Sequence, residues 1–324
     1  MSKRFDNIKL LYLLAGLIAI LGLTIVLRIP KEKATLKSKI IEFDTLDVSK
    51  IIIYPKLSNG NAIEFNRSNT KWTVQQGTII SAVRKGAVSN IFGEVLNLKP
   101  QSLAAKNKSK WKEFELTDSL ATRIKVLSLK GKTLADLMIG KFNHKQVNNP
   151  YGGYGSNNIQ GTSFVRLSSE KEVYGVEGFI SFFFSGKFED WRDNTFISSN
   201  KNDITNISFT YPADSSYKLS KKELVWYAGN RIIDSLKITD FLNTLSNLNG
   251  QDFKDNFKPV LSPAYQLIVE GNNLINFSVK CYKEDNVDEY ILNSSLNPDV
   301  YFASKKNGIF DQLFKPQSYF LKKR

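Results

Sequence analysis

Val48-Ser49-Lys50-Ile51-Ile52-Ile53-Tyr54-Pro55 and Ile204-Thr205-Asn206-Ile207-Ser208-Phe209-Thr210-Tyr211-Pro212 decide the fold, because the same series of patterns succeeds each of them in the same order. Both are rich in β-branched and aromatic residues and stop at a proline, which reads as a strand. Each leads to a second short strand, Ala62-Ile63-Glu64-Phe65 or Tyr217-Lys218-Leu219, and then to a tryptophan, Trp72 or Trp226. Ile79-Ile80-Ser81 and Ile232-Ile233-Asp234 come next, with Ser81 and Asp234 as the residue types that cap a helix N-terminus. The helices predicted there bury one stripe each, Val88, Ile91, Phe92 and Val95 in one, Ile238, Phe241, Leu242 and Leu245 in the other. Leu98-Lys99-Pro100 closes the first helix, and Gly250 suits the end of the second.

The parallel continues through alternating strands. Ile124 to Val126 and Leu134 to Ile139 answer to Leu267 to Val269 and Ile275 to Val279. Phe164 to Leu167 with Val173-Tyr174 answers to Tyr290 to Asn293 with Val300-Tyr301, and Gly178-Phe179-Ile180 answers to Gly308-Ile309-Phe310. Tyr54 and Tyr211 lie 157 positions apart, and Trp72 and Trp226 lie 154 apart. Self-similarity at one period marks a repeated unit. The fold expected is therefore α+β, a mostly antiparallel sheet-plus-helix unit present twice, over 46–195 and 196–318.

At 324 residues the chain is about twice the usual single-domain length. Its 42% hydrophobic content can fill a core, which excludes disordered and low-complexity classes. One cysteine, Cys281, excludes an intrachain disulfide and a CxxC metal or redox pair, and reads as a buried, inert thiol. One histidine, His144, excludes a multi-histidine metal centre. The net charge is +14, of which +6 falls in residues 1–40. Nucleic-acid binders concentrate charge on a stripe, whereas the densest cluster here flanks an apolar segment, so no nucleic-acid partner is expected.

That segment, Leu10 to Leu27, carries no charge over eighteen residues between Lys9 and Arg28. As a helix it spans roughly 27 Å, close to the hydrocarbon thickness of a bilayer. A cleaved signal would have a shorter apolar run and small residues at its end, and Leu23-Thr24-Ile25-Val26-Leu27 has neither. The reading is a tail at 1–9, an uncleaved single-pass anchor at 10–28 in contact with the lipid bilayer, and a linker at 29–45. Flanking lysines and arginines slightly outnumber those of the tail, which runs against the positive-inside rule. A short cationic tail is itself hard to translocate, so the N-terminus is placed inside and the large region in the periplasm.

Phe142 to Gly161 has no counterpart in the second half and reads as an Asn-, Gly- and Tyr-rich loop. Tyr151, Gly153, Tyr154 and Gly155 form a candidate ligand or partner loop, where tyrosines could stack on a sugar; a flexible turn is the alternative. His144, in the same stretch, reads as a surface residue without an orienting carboxylate. Gly131-Lys132-Thr133 ends like a phosphate-binding loop, but Val126 stands where that motif needs glycine, so it reads as a hairpin turn. Glu189-Asp190-Trp191-Arg192-Asp193 is the densest mixed site; calcium-loop spacing fails, and Arg192 pairing locally while Trp191 packs in the core is the structural reading. Phe179, Phe182, Phe183, Phe184 and Phe188 either pack in the core or, as Phe182, Phe183 and Phe184, form a partner surface. The G-x-S-x-G elbow is absent. No catalytic residue, metal ligand or cofactor site is expected.

The order of Val48 to Ile53, Lys71-Trp72-Thr73-Val74, Trp111 to Asp118, Leu137-Met138-Ile139-Gly140, Val173-Tyr174 and Trp191-Arg192-Asp193 resembles the bacterial family grouped as domain of unknown function 4340, over most of residues 40–320. The resemblance implies an inner-membrane-anchored extracytoplasmic protein, some members being associated with ABC-type transporters of the gliding-motility type. It supplies no catalytic residues. The function expected is a non-enzymatic accessory or scaffold subunit with an inner-membrane protein partner such as a transporter subunit. The alternative is a module binding a glycan or envelope ligand between the two halves.

Overall fold

Valine and isoleucine at positions 48, 51 and 53 all face inward in β1 (Val48–Tyr54), although strand side chains alternate. A register shift between Val48 and Lys50 against β6 (Thr122–Ser128) resolves this, since one extra residue returns Val48 to the core face. β11 (Ile204–Thr210) repeats the device, with Ile204, Ile207 and Phe209 buried and the shift between Ile204 and Asn206. The computed structural model describes residues 12, 14–21, 36–56, 61–147, 158–283 and 289–322. They fall into two compact units: the described residues of Met1–Gly77 with Gly86–Lys187, and those of Thr78–Lys85 with Phe188–Arg324.

The first large sheet and its helix run through β2 (Ile63–Ser68), β3 (Lys71–Gln76), β4 (Ile79–Ala82), helix α1 (Ala87–Leu96) and β5 (Pro100–Ala105). Beyond β6 it continues as β7 (Thr133–Val147), β8 (Asn158–Leu167), β9 (Val173–Glu177) and the short helix α2 (Ile180–Phe183). The sheet order is β4-β3-β2-β1-β6-β7-β8-β9-β5. Ile51, Ile53, Phe65, Val74, Ile91, Val95, Ile124 and Leu137 are fully buried, so α1 seals one face of the sheet.

The second unit contains β10 (Thr195–Ser198), β12 (Tyr217–Lys222), β13 (Val225–Ala228), β14 (Arg231–Ile232), α3 (Ser235–Ser246), β15 (Asn247–Asn249) and β16 (Asp252–Phe253). After these come β17 (Tyr265–Gly271), β18 (Phe277–Lys283), β19 (Tyr290–Ser294), β20 (Asn297–Ser304), α4 (Ile309–Leu313) and α5 (Gln317–Phe320). Its sheet order, β14-β13-β12-β11-β17-β18-β19-β20-β16, matches the first position for position, and β10 and β15 form a separate ribbon. All described registers are antiparallel, so the chain is a β-rich α+β protein with two large sheets. Smaller details also match: Leu129 donates its amide to Asp47 O at 3.0 Å, and Asn272 donates to Asp203 O at 2.8 Å.

Several expectations need correction. Ile53 pairs with Ile63 and Ile124, and Phe209 with Tyr217 and Leu267, so Thr210 rather than Tyr211 takes the place of Tyr54. Asp234 caps α3, accepting from the amides of Leu236 and Lys237, whereas Ser81 is buried in β4 and Gly86, at φ 80°, precedes α1. Gly250 lies beyond β15, not at a helix end; a Cβ there would sit 2.2 Å from the Phe302 ring. Positions 142–147 and 158–161 are not loop but paired strand, with His144 opposite Gly161. In the expected linker, Ile40 and Ile41 are buried and Asp44 caps a turn at Thr45–Asp47, so its last residues belong to the packed unit. Among the described residues no helix is long and apolar enough to cross a membrane. The predicted span 10–27 falls within them only at Tyr12 and 14–21, which are helical, with Leu14, Leu17, Ile18 and Leu21 exposed. The tail at 1–9 lies outside them.

Candidate functional site

In the first unit, β7 and β8 continue as a two-stranded arm, and Phe142 on the arm meets the turn after β9. Gly178, at φ 110°, makes that turn and donates its amide to Gly161 O at 3.0 Å. Ser163 Oγ donates to Gly178 O, and Ser181 Oγ to Gly140 O, each at 3.0 Å, tying α2 to both arm strands. Gly161 leaves room for the Phe142 ring, since a Cβ there would lie 2.7 Å from Cε2.

These ties leave a four-residue helix with little choice of face. Ile180 and Phe184, one turn apart, are buried. Phe179 and Phe182 are left outside, 48% and 60% exposed. Their rings meet Phe142 at 5.1 Å and, edge-on, at 4.8 Å, and His144 stacks on Phe142 at 6.1 Å. Adjoining aromatics in such offset or edge-on geometry hold one another in place. The result is an ordered, exposed aromatic ridge.

Phe182 lines a cleft on either side of it. The larger, about 760 Å³, is shared with Asn90 and Glu94 of α1, with Asn97 that caps its C-terminus and with Glu177 at the end of β9. The smaller, about 330 Å³, carries Lys141 and the ion pair of Lys56 Nζ with Glu115 at 2.6 Å. Hydrogen-bonding side chains beside exposed phenyl faces can hold a mixed polar and apolar surface.

Of the residues predicted as a partner surface, Phe182 is exposed and Phe183 half-buried. Phe184 is fully buried, because it falls one helical turn after Ile180, and it leaves the candidate set. Phe142 was missed: Phe179 and Phe182 lie far along the chain, before and in α2, and the register that sets Phe142 opposite Ser163 on β8 brings it to them. Tyr151, Gly153, Tyr154 and Gly155 lie outside the described residues. His144 is exposed, and Gly131 sits in the hairpin turn between β6 and β7 at φ 77°.

In the run from Glu189 to Asp193, Trp191 packs in the core as expected, but the pairing of Arg192 is not local. Arg192 holds Asp255 through both Nη atoms, one contact at 2.8 Å, with its guanidinium 3.8 Å over Phe253. Trp191 is buried. Among the described residues no group of three or more His, Cys, Asp or Glu could hold a metal ion. Arg166, also buried, lies 3.6 Å over Trp111 and donates to Leu116 O at 3.0 Å; desolvation pulls its pKa down. Cys281 is buried in β18, and burial pushes its thiol pKa well up.

A family model, domain of unknown function (DUF4340), matches residues 72–267. The chain belongs to that family. The DUF4340 match takes in α1, β7 to β9 and α2, so the ridge and its clefts lie inside the family region. No curated protein and no solved structure matches the chain.

Proposed function

We propose that this DUF4340 protein is a non-enzymatic accessory or scaffold subunit of an inner-membrane complex of the ABC-transporter or gliding-related class, held by a single-pass anchor at 10–28 with its two α+β repeats, 46–195 and 196–318, in the periplasm. The observation that carries the reading is the ridge of Phe142, Phe179 and Phe182. Exposed Phe179 and Phe182, braced by half-buried Phe142, are the kind of aromatics that interface cores favour. Apolar helical side chains at 14–21 agree with a lipid-embedded start. The common strand order supports a duplicated unit.

The test is gentle detergent solubilisation of the full chain, native mass spectrometry, and the same with Phe179→Ser/Phe182→Ser. A stoichiometric membrane-protein partner that the double variant loses supports the reading. A solitary monomer, or a partner kept by the variant, refutes it.

The larger cleft favours a second reading, a glycan or envelope-ligand site, because phenyl faces adjoin Asn90, Asn97 and Glu177 there. Binding in a glycan screen that Phe179→Ala and Asn97→Ala both abolish would move the assignment to it.

A further inference from the structure

The β12–β13 hairpin of the second unit ends in an unusual tip. It closes through Glu223, at φ 57°, and Leu224, with Lys222 opposite Val225. Leu224 is 89% exposed. On the next strand Ile232, 56% exposed, lies opposite Tyr227 and on the same sheet face as Val225. Asp234 then caps α3, which brings Leu236 out in the first turn at 75% exposure. Leu224, Val225, Ile232 and Leu236 are thus four exposed aliphatic side chains along the β12–β13–β14–α3 edge of the sheet.

Cations surround them. Lys222 Nζ lies 5.6 Å over Tyr227, and Lys237 Nζ lies 5.0 Å over Tyr319. Arg231 is exposed on β14, and the bridge of Ile233 to Leu321 sets Lys322 beside it. The nearby acids Glu223, Asp234 and Asp240 offset part of this, Glu270 pairs with Lys218, and a positive excess remains.

The first sheet supplies an internal control. Its matching hairpin closes through Asn69, also at positive φ, and Thr70, with Ser68 opposite Lys71. Thr73 stands where the second sheet has Tyr227. The same backbone is therefore built without an apolar tip, and the fold does not require Leu224, Val225 or Tyr227.

We propose that this edge is a lipid-facing surface that seats on the head groups of an anionic bilayer. Aliphatic side chains at the apex, tyrosines behind them and a collar of lysine and arginine reproduce the layering of an interfacial segment. Each basic side chain near such a surface adds to the attraction. The inference concerns the second unit and goes beyond the anchor reading.

Buried Cys281 makes the test direct, because an introduced cysteine is the reactive one. Full-length Leu224→Cys, Leu236→Cys and Thr70→Cys proteins are labelled with an environment-sensitive fluorophore. They are mixed with vesicles holding nitroxide lipid, either zwitterionic or with about one-third phosphatidylglycerol. The expected result is about two-fold quenching at positions 224 and 236 on anionic vesicles, absent at position 70 and largely lost at ~0.5 M salt. Lys222→Gln/Arg231→Gln/Lys237→Gln should lose it too, with circular dichroism checking its fold. Equal signals on both vesicle types, or equal quenching at position 70, overturn the proposal, as does a fluorescence change that needs an added membrane protein. Alkaline carbonate extraction scores the anchor separately: release by carbonate with quenching kept at neutral pH sinks the anchor and leaves this surface standing.

Discussion

Removing the carboxylate of Asp255 should be among the most damaging single changes in the second unit. Arg192 is 3% exposed, its guanidinium lies 3.8 Å over Phe253 and 5.2 Å from Phe188, and its Nε has no acceptor among the described residues. Asp255→Ala therefore leaves a buried cation without its counter-charge. Breaking a buried pair from one side costs roughly 3–5 kcal/mol. The Asp255 side chain is itself 25% exposed, and water screening brings the expectation to about 2–3 kcal/mol. Arg192→Met removes the charge together with the need for Asp255 and keeps an unbranched chain between the rings. It should cost about 1 kcal/mol, and the double variant should resemble it. For a unit of this size a 2–3 kcal/mol loss lowers Tm by roughly 5–10 °C. Urea unfolding followed by tryptophan fluorescence reads this out, since Trp191 adjoins the pair and Trp226 lies in the same unit. Asp255→Ala within ~0.5 kcal/mol of the parent, or Arg192→Met falling below it, would refute the reasoning.

Tyr211 and Tyr217 both donate to Lys315 O, and burial raises both hydroxyl pKa values above the ordinary 10.0. Above about pH 10 the unfolded chain then binds fewer protons than the folded one, so stability is intact below that pH and falls as pH rises, by about 1.4 kcal/mol per pH unit per tyrosine. Tyr211→Phe/Tyr217→Phe should flatten that alkaline slope in a denaturant series, and an unchanged slope would discard the assignment. Gly250→Ala puts a Cβ 2.2 Å from the buried Phe302 ring and should destabilise by about 1–3 kcal/mol or more; a neutral result in thermal melts would mean the β15–β20 region yields easily. Cys281 should resist iodoacetamide until the protein unfolds, and modification at the rate of a free thiol would contradict its burial.

Local rules made part of the fold legible in the sequence. Val-x-x-Ile-x-Ile marked β1 and Ile-x-x-Ile-x-Phe marked β11 through their β-branched and aromatic content, and the stripe of Ile238, Phe241 and Leu245 marked α3 because burial repeats at the helical period. Asp234 was readable as a cap because its helix begins at the next residue, whereas Ser81 is separated from α1 by five further residues. Long-range choices were not legible. Beyond Phe142 the arm is polar on both faces over 143–146, so it lacks the alternation that a half-buried strand shows, and its pairing is set across β8. Nothing near Arg192 in the chain points to Asp255, sixty-three positions away. A four-residue helix such as α2 is too short for a period to separate Phe184 from Phe182.

On the duplication reading, the places where the two units part company indicate where selection has acted on function rather than on folding. Gly178-Phe179-Ile180 and Gly308-Ile309-Phe310 occupy matching places after β9 and β20. In the second unit Ile309 is buried, and Phe310 stacks on Tyr290 at 3.7 Å and meets Phe314 at 5.1 Å, so the aromatic content of that helix is absorbed by its own core. In the first unit the same segment turns Phe179 and Phe182 outward onto Phe142. The hairpins diverge in the opposite sense, polar at Asn69-Thr70 and apolar at Leu224-Val225. Packing cannot explain either difference, since each unit shows that the scaffold stands without the exposed version. The ridge of one unit and the hairpin edge of the other therefore read as separate acquisitions, the first suited to a protein partner and the second to lipid head groups. That division predicts independence: Phe179→Ser/Phe182→Ser should leave vesicle quenching at position 224 unchanged, and coupling between the two would show that they serve a single interface.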